Sequence, residues 1–220
     1  MRCLPGLGAQ FWDQAMWVVK LGGSLHDATA LRAWLRLIAD AQGPARVIVP
    51  GGGPFADAVR ELQPRLGFDA LQAHRMAILA MQQYGLQLAA LEPALDLAET
   101  EAELRAGGTT VWLPWRLAGR EASIPASWDV TSDSLACWLA ARLGAEGLLL
   151  VKSGPVPAGP QAVDTLVTAG LLDVAFPAMA KSFAGPILVL HRDDAEARAR
   201  LQAGFASLCP SAARVLASVA

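Results

Sequence analysis

The chain has 220 residues, 54% of them apolar and 17% charged, with a net charge of −2. That balance excludes a disordered chain, is enough for a sizeable core, and provides no basic run with which to neutralise nucleic-acid phosphates. No run reaches the roughly 18 apolar residues of a membrane span, MRCLPGLGAQFWDQAM lacks the apolar stretch of a secretion signal, and three scattered cysteines (Cys3, Cys137, Cys209) without metal-ligand spacing fit a reducing cytoplasm.

Residues 1–15 read as an extension ahead of the first strand, the apolar run Val18 to Leu21. Ala28 to Ala41 carries Leu31, Leu35 and Ile38 at helical spacing. ARVIVP is a second strand, closed by Gly51, Gly52 and Gly53, and a helix follows from about Pro54 to Pro64. Pro54 suits a first helical turn, where its missing N–H costs nothing. Asp69 to Glu92 is a long, mostly apolar helix, and Thr100 to Glu103 is a capping box that opens a short one. TTVWLP is a strand stopped by Pro114, and DVTSDSLACWLAARLG is a helix with polar residues at its start and Gly144 at its end. GLLLVK is a buried strand leading into the loop SGPVPAGPQ, PILVLH is another, and Asp193 to Ala203 is a final helix. Strands alternating with helices predict one α/β domain: a three-layer α/β/α sandwich around a mostly parallel sheet of about eight strands.

The chemistry concentrates where strands end. A strand that runs out into glycines and then a helix offers bare N–H groups at the carboxyl edge of the sheet, where open α/β sheets bind ligands and where anions are favoured. Lys20 adds a full positive charge there and Ser24 a hydroxyl, beside Gly22 and Gly23. Gly51, Gly52 and Gly53 repeat the pattern after the second strand. Two such edges suit two anionic groups brought side by side, as phosphoryl transfer requires. The plain alternative is that the glycines make tight turns. G-x-x-x-x-G-K-[ST] and G-x-G-x-x-G are both absent, which argues against a P-loop and a dinucleotide fold.

VVKLGGSL, VIVPGGGPFADAVR and DVTSDSLACWLAARLGAEGLLL, in that order, resemble the amino acid kinase family over about Met16 to Leu190. Within it, AHRMAILAMQQYG and LLDVAFPAMAK resemble the branch that phosphorylates (aminomethyl)furanmethyl phosphate in methanofuran biosynthesis. The resemblance implies an ATP-dependent kinase with Mg²⁺ on the nucleotide phosphates, a small-molecule phosphate acceptor and a homo-oligomer. It implies an acceptor-binding lobe at about 16–125 and a nucleotide-binding lobe at about 126–220. Lys20 would contact the transferring phosphoryl group and Asp133 would orient the lysines; Gly22, Gly23 and Ser24 would hold nucleotide phosphates; and Gly51, Gly52 and Gly53 would face the acceptor. For Asp133 the plain alternative is a charge that complements its helix dipole.

The chain departs from the family after GLLLV, where it reads Lys152-Ser153-Gly154-Pro155. That makes Lys152 and Ser153 candidate nucleotide contacts, against a solvated lysine at a loop entrance. Lys181 is the candidate for the family's second catalytic lysine, at a shorter spacing than usual. His74 is a candidate acceptor contact, but it shares its helix face with Ile78 and Met81, as a core histidine would. Trp112, Trp115 and Trp128 would wall a pocket for a flat ring or serve ordinary packing, and Asp57 or Asp129 would meet an amine. No residue is assigned as a metal ligand. An amino-acid carboxylate kinase and a non-catalytic nucleotide- or oxyanion-binding relative remain as alternatives.

Overall fold

Strand β1 (Met16–Leu21) is buried along its whole length, as a strand covered by helices on both faces must be. It lies at the centre of the sheet in a computed structural model that describes residues 15–25, 29–208 and 213–216. Chain order then runs α1 (Thr29–Asp40), β2 (Ala45–Pro50), α2 (Gly53–Leu66), α3 (Ala70–Leu91), β3 (Asp96–Ala98), α4 (Glu101–Leu104), β4 (Thr109–Trp112) and α5 (Trp115–Ala118). The second half contributes α6 (Ser132–Leu143), β5 (Gly147–Lys152), β6 (Gln161–Ala162), α7 (Val163–Thr168), α8 (Phe176–Ala180), β7 (Ile187–His191), α9 (Ala195–Gln202) and β8 (Ala213–Leu216).

The strand order is β3-β4-β2-β1-β5-β7-β8-β6. The first six form a continuous parallel sheet; β8 adds to β7 antiparallel, and the two-residue β6 pairs only with β8. The expected α/β sandwich is present, but its main sheet has six strands, and eight are reached only by counting these two short edge pieces. β3, β6, β8, α5, α7 and α8 were not legible in the sequence, because two to six residues are too few to show a period. One helix end also differs from expectation. The helix after Gly53 runs past Pro64 to Leu66 and stops at Gly67, whose left-handed φ of 73° lets its N–H bond the Gln63 carbonyl. The Ala28 start expected for α1, Cys3, Cys209 and almost all of the 1–15 extension lie outside the described residues.

Side-chain alternation sorts the core into two layers. Trp17, Val19 and Leu21 of β1 and Leu149 and Val151 of β5 face α1 and α9, while Val18, Leu148 and Leu150 face α6 and α8. Trp34 of α1 is fully buried and donates its indole N–H to the Arg192 carbonyl at 2.7 Å, which ties α1 to the turn after β7. The expected capping box is present: Thr100 accepts from the Glu103 N–H at 3.2 Å, and the Glu103 carboxylate accepts from the Thr100 N–H at 2.9 Å.

Leu149 is fully buried at the middle of β5, between β1 and β7. Leu149→Ala should cost about 2–5 kcal/mol, the range for a large-to-small change in a close-packed core. Chemical denaturation would show it as a lower midpoint at an unchanged slope.

Candidate active site

The sheet order places a crevice at one position. From β1 the chain passes to β2 on one side, and from β5 it passes on to β7 on the other, so the connections diverge at the carboxyl ends of β1 and β5. Ligands of open α/β sheets bind at such a reversal. Period-two alternation puts residues 16, 18 and 20 of β1, and 148, 150 and 152 of β5, on the face covered by α6. The last residue of each set is a lysine. Asp133, in the first turn of α6, points between them: Lys20 Nζ lies 2.9 Å from Oδ1 and Lys152 Nζ 2.5 Å from Oδ2. Asp133 is 3% exposed and Lys20 6% exposed, so this is a buried ion cluster and not a solvated helix-dipole charge.

Burial pushes the Asp133 carboxyl pKa up, but the ammonium groups of Lys20 and Lys152 outweigh it and hold the pKa below its ordinary value. The Lys152 pKa is lowered too. Burial and then the Lys20 charge lower it, and Asp133 and Asp173 offset them only in part. The Asp173 carboxylate thus also favours the Lys152 ammonium, so two lysines and two carboxylates meet beside bare backbone.

The glycine loops flank this cluster and touch each other. A Cβ on Gly23 would lie 2.3 Å from the Gly53 nitrogen, and one on Gly51 would lie 2.1 Å from the Gly23 nitrogen. Only glycine allows the two backbones this approach. Gly51 also donates its N–H to the Leu21 carbonyl at 2.9 Å, which locks the second loop to the end of β1. Gly53 begins α2 at φ +53° with Tyr84 packed against it, so a side chain there would be strained as well as crowded.

Two cavities open on either side of the contact. One, of about 290 Å³, is lined by Lys20, Gly22, Ser24, Lys152, Ser153 and Gly154, and by Gly170 and Leu171 opposite. The other, of about 260 Å³, is lined by Gly23, Gly52 and Gly53, with Asp57 and Arg60 of α2, His74, Ile78 and Met81 of α3, and Trp128, Val130, Thr131 and Ser132 around them. Ser24 lines both. Its hydroxyl lies 2.9 Å from that of Ser153, bridging the loops that follow β1 and β5.

Lys20, Gly22, Ser24, Asp133, Lys152 and Ser153 are therefore brought together, with Gly23, Gly52, Gly53 and His74 around the adjoining cavity and Gly51 in the contact between the loops. Lys181 is not brought there: it is exposed at the C-terminal cap of α8 and lines neither cavity. His74, Ile78 and Met81 do share a face, and that face is cavity wall; burial followed by the neighbouring Arg75 charge lowers the His74 pKa. Of the three tryptophans only Trp128 walls this cavity, with the Arg60 guanidinium 4.5 Å above its ring and its indole N–H donated to Gln63 at 2.6 Å. Trp112 is fully buried against Trp138, and Trp115 packs on the core, which corrects the expectation of a three-tryptophan pocket. Asp57 lines the cavity, whereas Asp129 is engaged by the Ser127 hydroxyl. The sequence reasoning passed over Arg60, Thr131, Ser132 and Asp173. For Thr131 and Ser132 a signal was available, because a polar pair at the N-terminus of a buried helix faces the same edge as Asp133.

A strand-end cation cluster, two glycine loops in backbone contact and an α/β sheet that reverses between them define a known class, and residues 15–155 match the family model for it: the chain belongs to the amino acid kinase family. The [5-(aminomethyl)furan-3-yl]methyl phosphate kinase of Methanocaldococcus jannaschii is 29% identical to it over 139 residues, which span 61% of this chain and 64% of that protein, just under two thirds of its length. Among solved structures, the fold is similar to that of UMP kinase from Bacillus anthracis, with a TM-score of 0.69 at 17% identity over 94% of this chain and 97% of that one. Uridylate kinase from Archaeoglobus fulgidus gives 0.67 at 16% identity over 91% and 99%.

The loop contact makes a prediction that separates two adjacent glycines. A Cβ at Gly22 meets nothing closer than 3.2 Å, and that atom is the Lys20 Nζ at the tip of a side chain; at Gly23 it meets backbone at 2.3 Å. Gly22→Ala should fold with little loss of melting temperature. Gly23→Ala must push the two loops apart and should lower the melting temperature by several degrees. Equal melting temperatures for the two variants would contradict the contact.

Proposed function

We propose that this chain is an ATP-dependent phosphotransferase that moves the γ-phosphoryl group onto a small phosphate monoester in the cytoplasm, with (aminomethyl)furanmethyl phosphate as the leading acceptor. The observation that carries this is the Lys20–Asp133–Lys152 cluster on the wall of a cavity that shares Ser24 with a second cavity. The cavity beside the lysines fits a polyphosphate, since its polar lining is two ammonium groups, two hydroxyls and glycine backbone. Among the described residues no group of His, Cys, Asp and Glu is placed to hold a metal ion, so Mg²⁺ would ride on the nucleotide phosphates and neutralise their charge. The acceptor phosphate would lie over Gly52 and Gly53, whose backbone faces the second cavity.

In this arrangement an acceptor phosphate oxygen attacks the γ-phosphorus. The new P–O bond forms as the bond to the β,γ-bridging oxygen breaks, and the electron pair leaves with ADP. An acceptor that is already ionised has no proton to lose, so no general base is required. Lys20 and Lys152 stabilise the charge that gathers on the transferring and leaving oxygens, and Asp133 fixes both in place before the reaction begins. The identity of the acceptor is supported by the resemblance of AHRMAILAMQQYG to the methanofuran branch and by the relative from M. jannaschii. Asp57 on the cavity wall is a carboxylate for the amine, and Trp128 is an aromatic surface for the ring. Residues 16–125 would carry most of the acceptor cavity and 126–220 most of the nucleotide contacts. Exposed Met76, Leu79 and Leu86 along α3 supply apolar surface for the implied homo-oligomer.

A coupled ADP-release assay with this phosphate, uridylate, N-acetylglutamate and isopentenyl phosphate at equal concentrations tests the assignment. The furan phosphate should be turned over fastest, and Lys20→Ala should lower its kcat by roughly 10²–10³. Preference for N-acetylglutamate or uridylate would sink the acceptor, and tight nucleotide binding with no turnover of any acceptor would favour a non-catalytic role.

Lys152 gives a pH test. Its pKa is lowered from the ordinary 10.5, so its ammonium is lost at a lower pH than that of a free lysine. Affinity for Mg·ADP should therefore weaken as pH rises through a range below that value. In Lys152→Arg, whose guanidinium stays charged, this alkaline loss should be absent. A loss identical in both proteins would remove Lys152 from the nucleotide site.

A further inference from the structure

One carboxylate outside the ion cluster has all its bonds to the helix that carries Asp133. Asp173, in the connection between α7 and α8, accepts four hydrogen bonds. Its Oδ2 takes the Thr131 N–H at 3.1 Å, the Thr131 hydroxyl at 2.7 Å and the Ser134 N–H at 3.0 Å; its Oδ1 takes the Ser134 hydroxyl at 2.5 Å. Thr131 is the N-cap of α6, and its hydroxyl oxygen accepts in turn from the Asp133 N–H at 3.3 Å. The first turn of α6 is thus capped from another part of the chain, some 40 residues on, by a full negative charge at the positive end of the helix. The backbone adds a further tie, the Ala175 N–H to the Asp129 carbonyl at 3.1 Å.

The two sides of this joint belong to different cavities. Gly170 and Leu171, just before Asp173, line the cavity beside the lysines, while Thr131 and Ser132 line the other. Between them lies Asp133, which has no freedom to shift: moving its carboxylate by an ångström would break a 2.9 Å or a 2.5 Å contact to one lysine.

We infer that Asp173 is a positioning residue that sets Asp133 between Lys20 and Lys152 and, through the same four bonds, couples the nucleotide cavity to the acceptor cavity. It touches neither substrate and acts through Asp133. The inference deepens the proposed function and rests on its placement of the nucleotide beside the lysines.

A double-mutant cycle on the full chain tests it. Asp173→Asn keeps the shape and most of the acceptor capacity, and a melt confirms that the variant folds. Should Asp173→Asn prove unfolded, Ser134→Ala, which removes a donor from the other side of the joint, takes its place. Each is combined with Asp133→Asn. Mg·ADP affinity is measured by calorimetry, and turnover with the furan phosphate in parallel. If Asp173 acts through Asp133, the single change lowers kcat tenfold or more, and adding it to Asp133→Asn changes neither kcat nor Mg·ADP affinity further. Independent, multiplying effects, or a lowered melting temperature with unchanged kcat and Mg·ADP affinity, would overturn the inference and leave Asp173 as a structural cap only. A wrong acceptor would silence the turnover arm in every protein, wild type included, but would leave the Mg·ADP cycle readable, so the two failures are distinguishable.

Discussion

The site depends on a buried carboxylate held between two ammonium groups on the wall of a cavity. Removing three charges from solvent is costly, and their mutual attraction repays it only where the geometry is tight. Here it is tight on both sides of Asp133, and the Asp173 carboxylate adds a second negative charge that favours the Lys152 ammonium. Under the proposed function, an entering anion would meet the two lysines and the bare glycine backbone together.

The fold meets this constraint through register and capping. Adjacent parallel strands place Lys20 opposite Leu150 and Lys152 opposite His191, so both lysines project from the same face at the same edge of the sheet. α6 then brings Asp133 down onto them, and its first turn is held by Asp173 from the α7–α8 connection. The glycine loops do the complementary work. Because Gly23 and Gly53 meet through backbone alone, the two cavities are separated by little more than the contact itself and by Ser24. Two anions placed in them would be neighbours, which is the geometry an in-line transfer needs.

Most of this was legible in the sequence, for reasons that can be named. Strands that end in a lysine or in glycines single out one edge of the sheet, and Lys20, Gly22, Gly23 and Lys152, singled out that way, do gather there. Asp133 was visible from its motif, but its burial was not, since a carboxylate in the first turn of a helix looks the same in sequence whether solvated or enclosed. Lys181 was carried by family spacing alone, and it lies exposed at the end of α8. For Trp112 and Trp115 the packing alternative holds, because Trp112 lies in β4 and Trp115 opens α5 against the core, and only Trp128 reaches a cavity. Asp173 was invisible because its partners, Thr131 and Ser134, lie 42 and 39 residues away, and no local pattern records a cap supplied from so far along the chain.

The two cavities differ in how they are built, and that difference bears on what each can do. The cations come from the ends of neighbouring central strands, fixed by ladder hydrogen bonds on either side. Charges so held need little reorganisation as charge shifts during transfer, which is the condition under which electrostatic stabilisation is most effective. The other cavity is walled by side chains from α2, α3 and the segment before α6, including the long Arg60 and the adaptable Met81. Asp57, Arg60 and His74 project from helices that play no part in holding the lysines, whereas Ser24 comes from the loop after β1 and Thr131 and Ser132 from the start of α6. Under the proposed function, acceptor preference would therefore change by substitution on α2 and α3 while the edge that carries the lysines stays as it is.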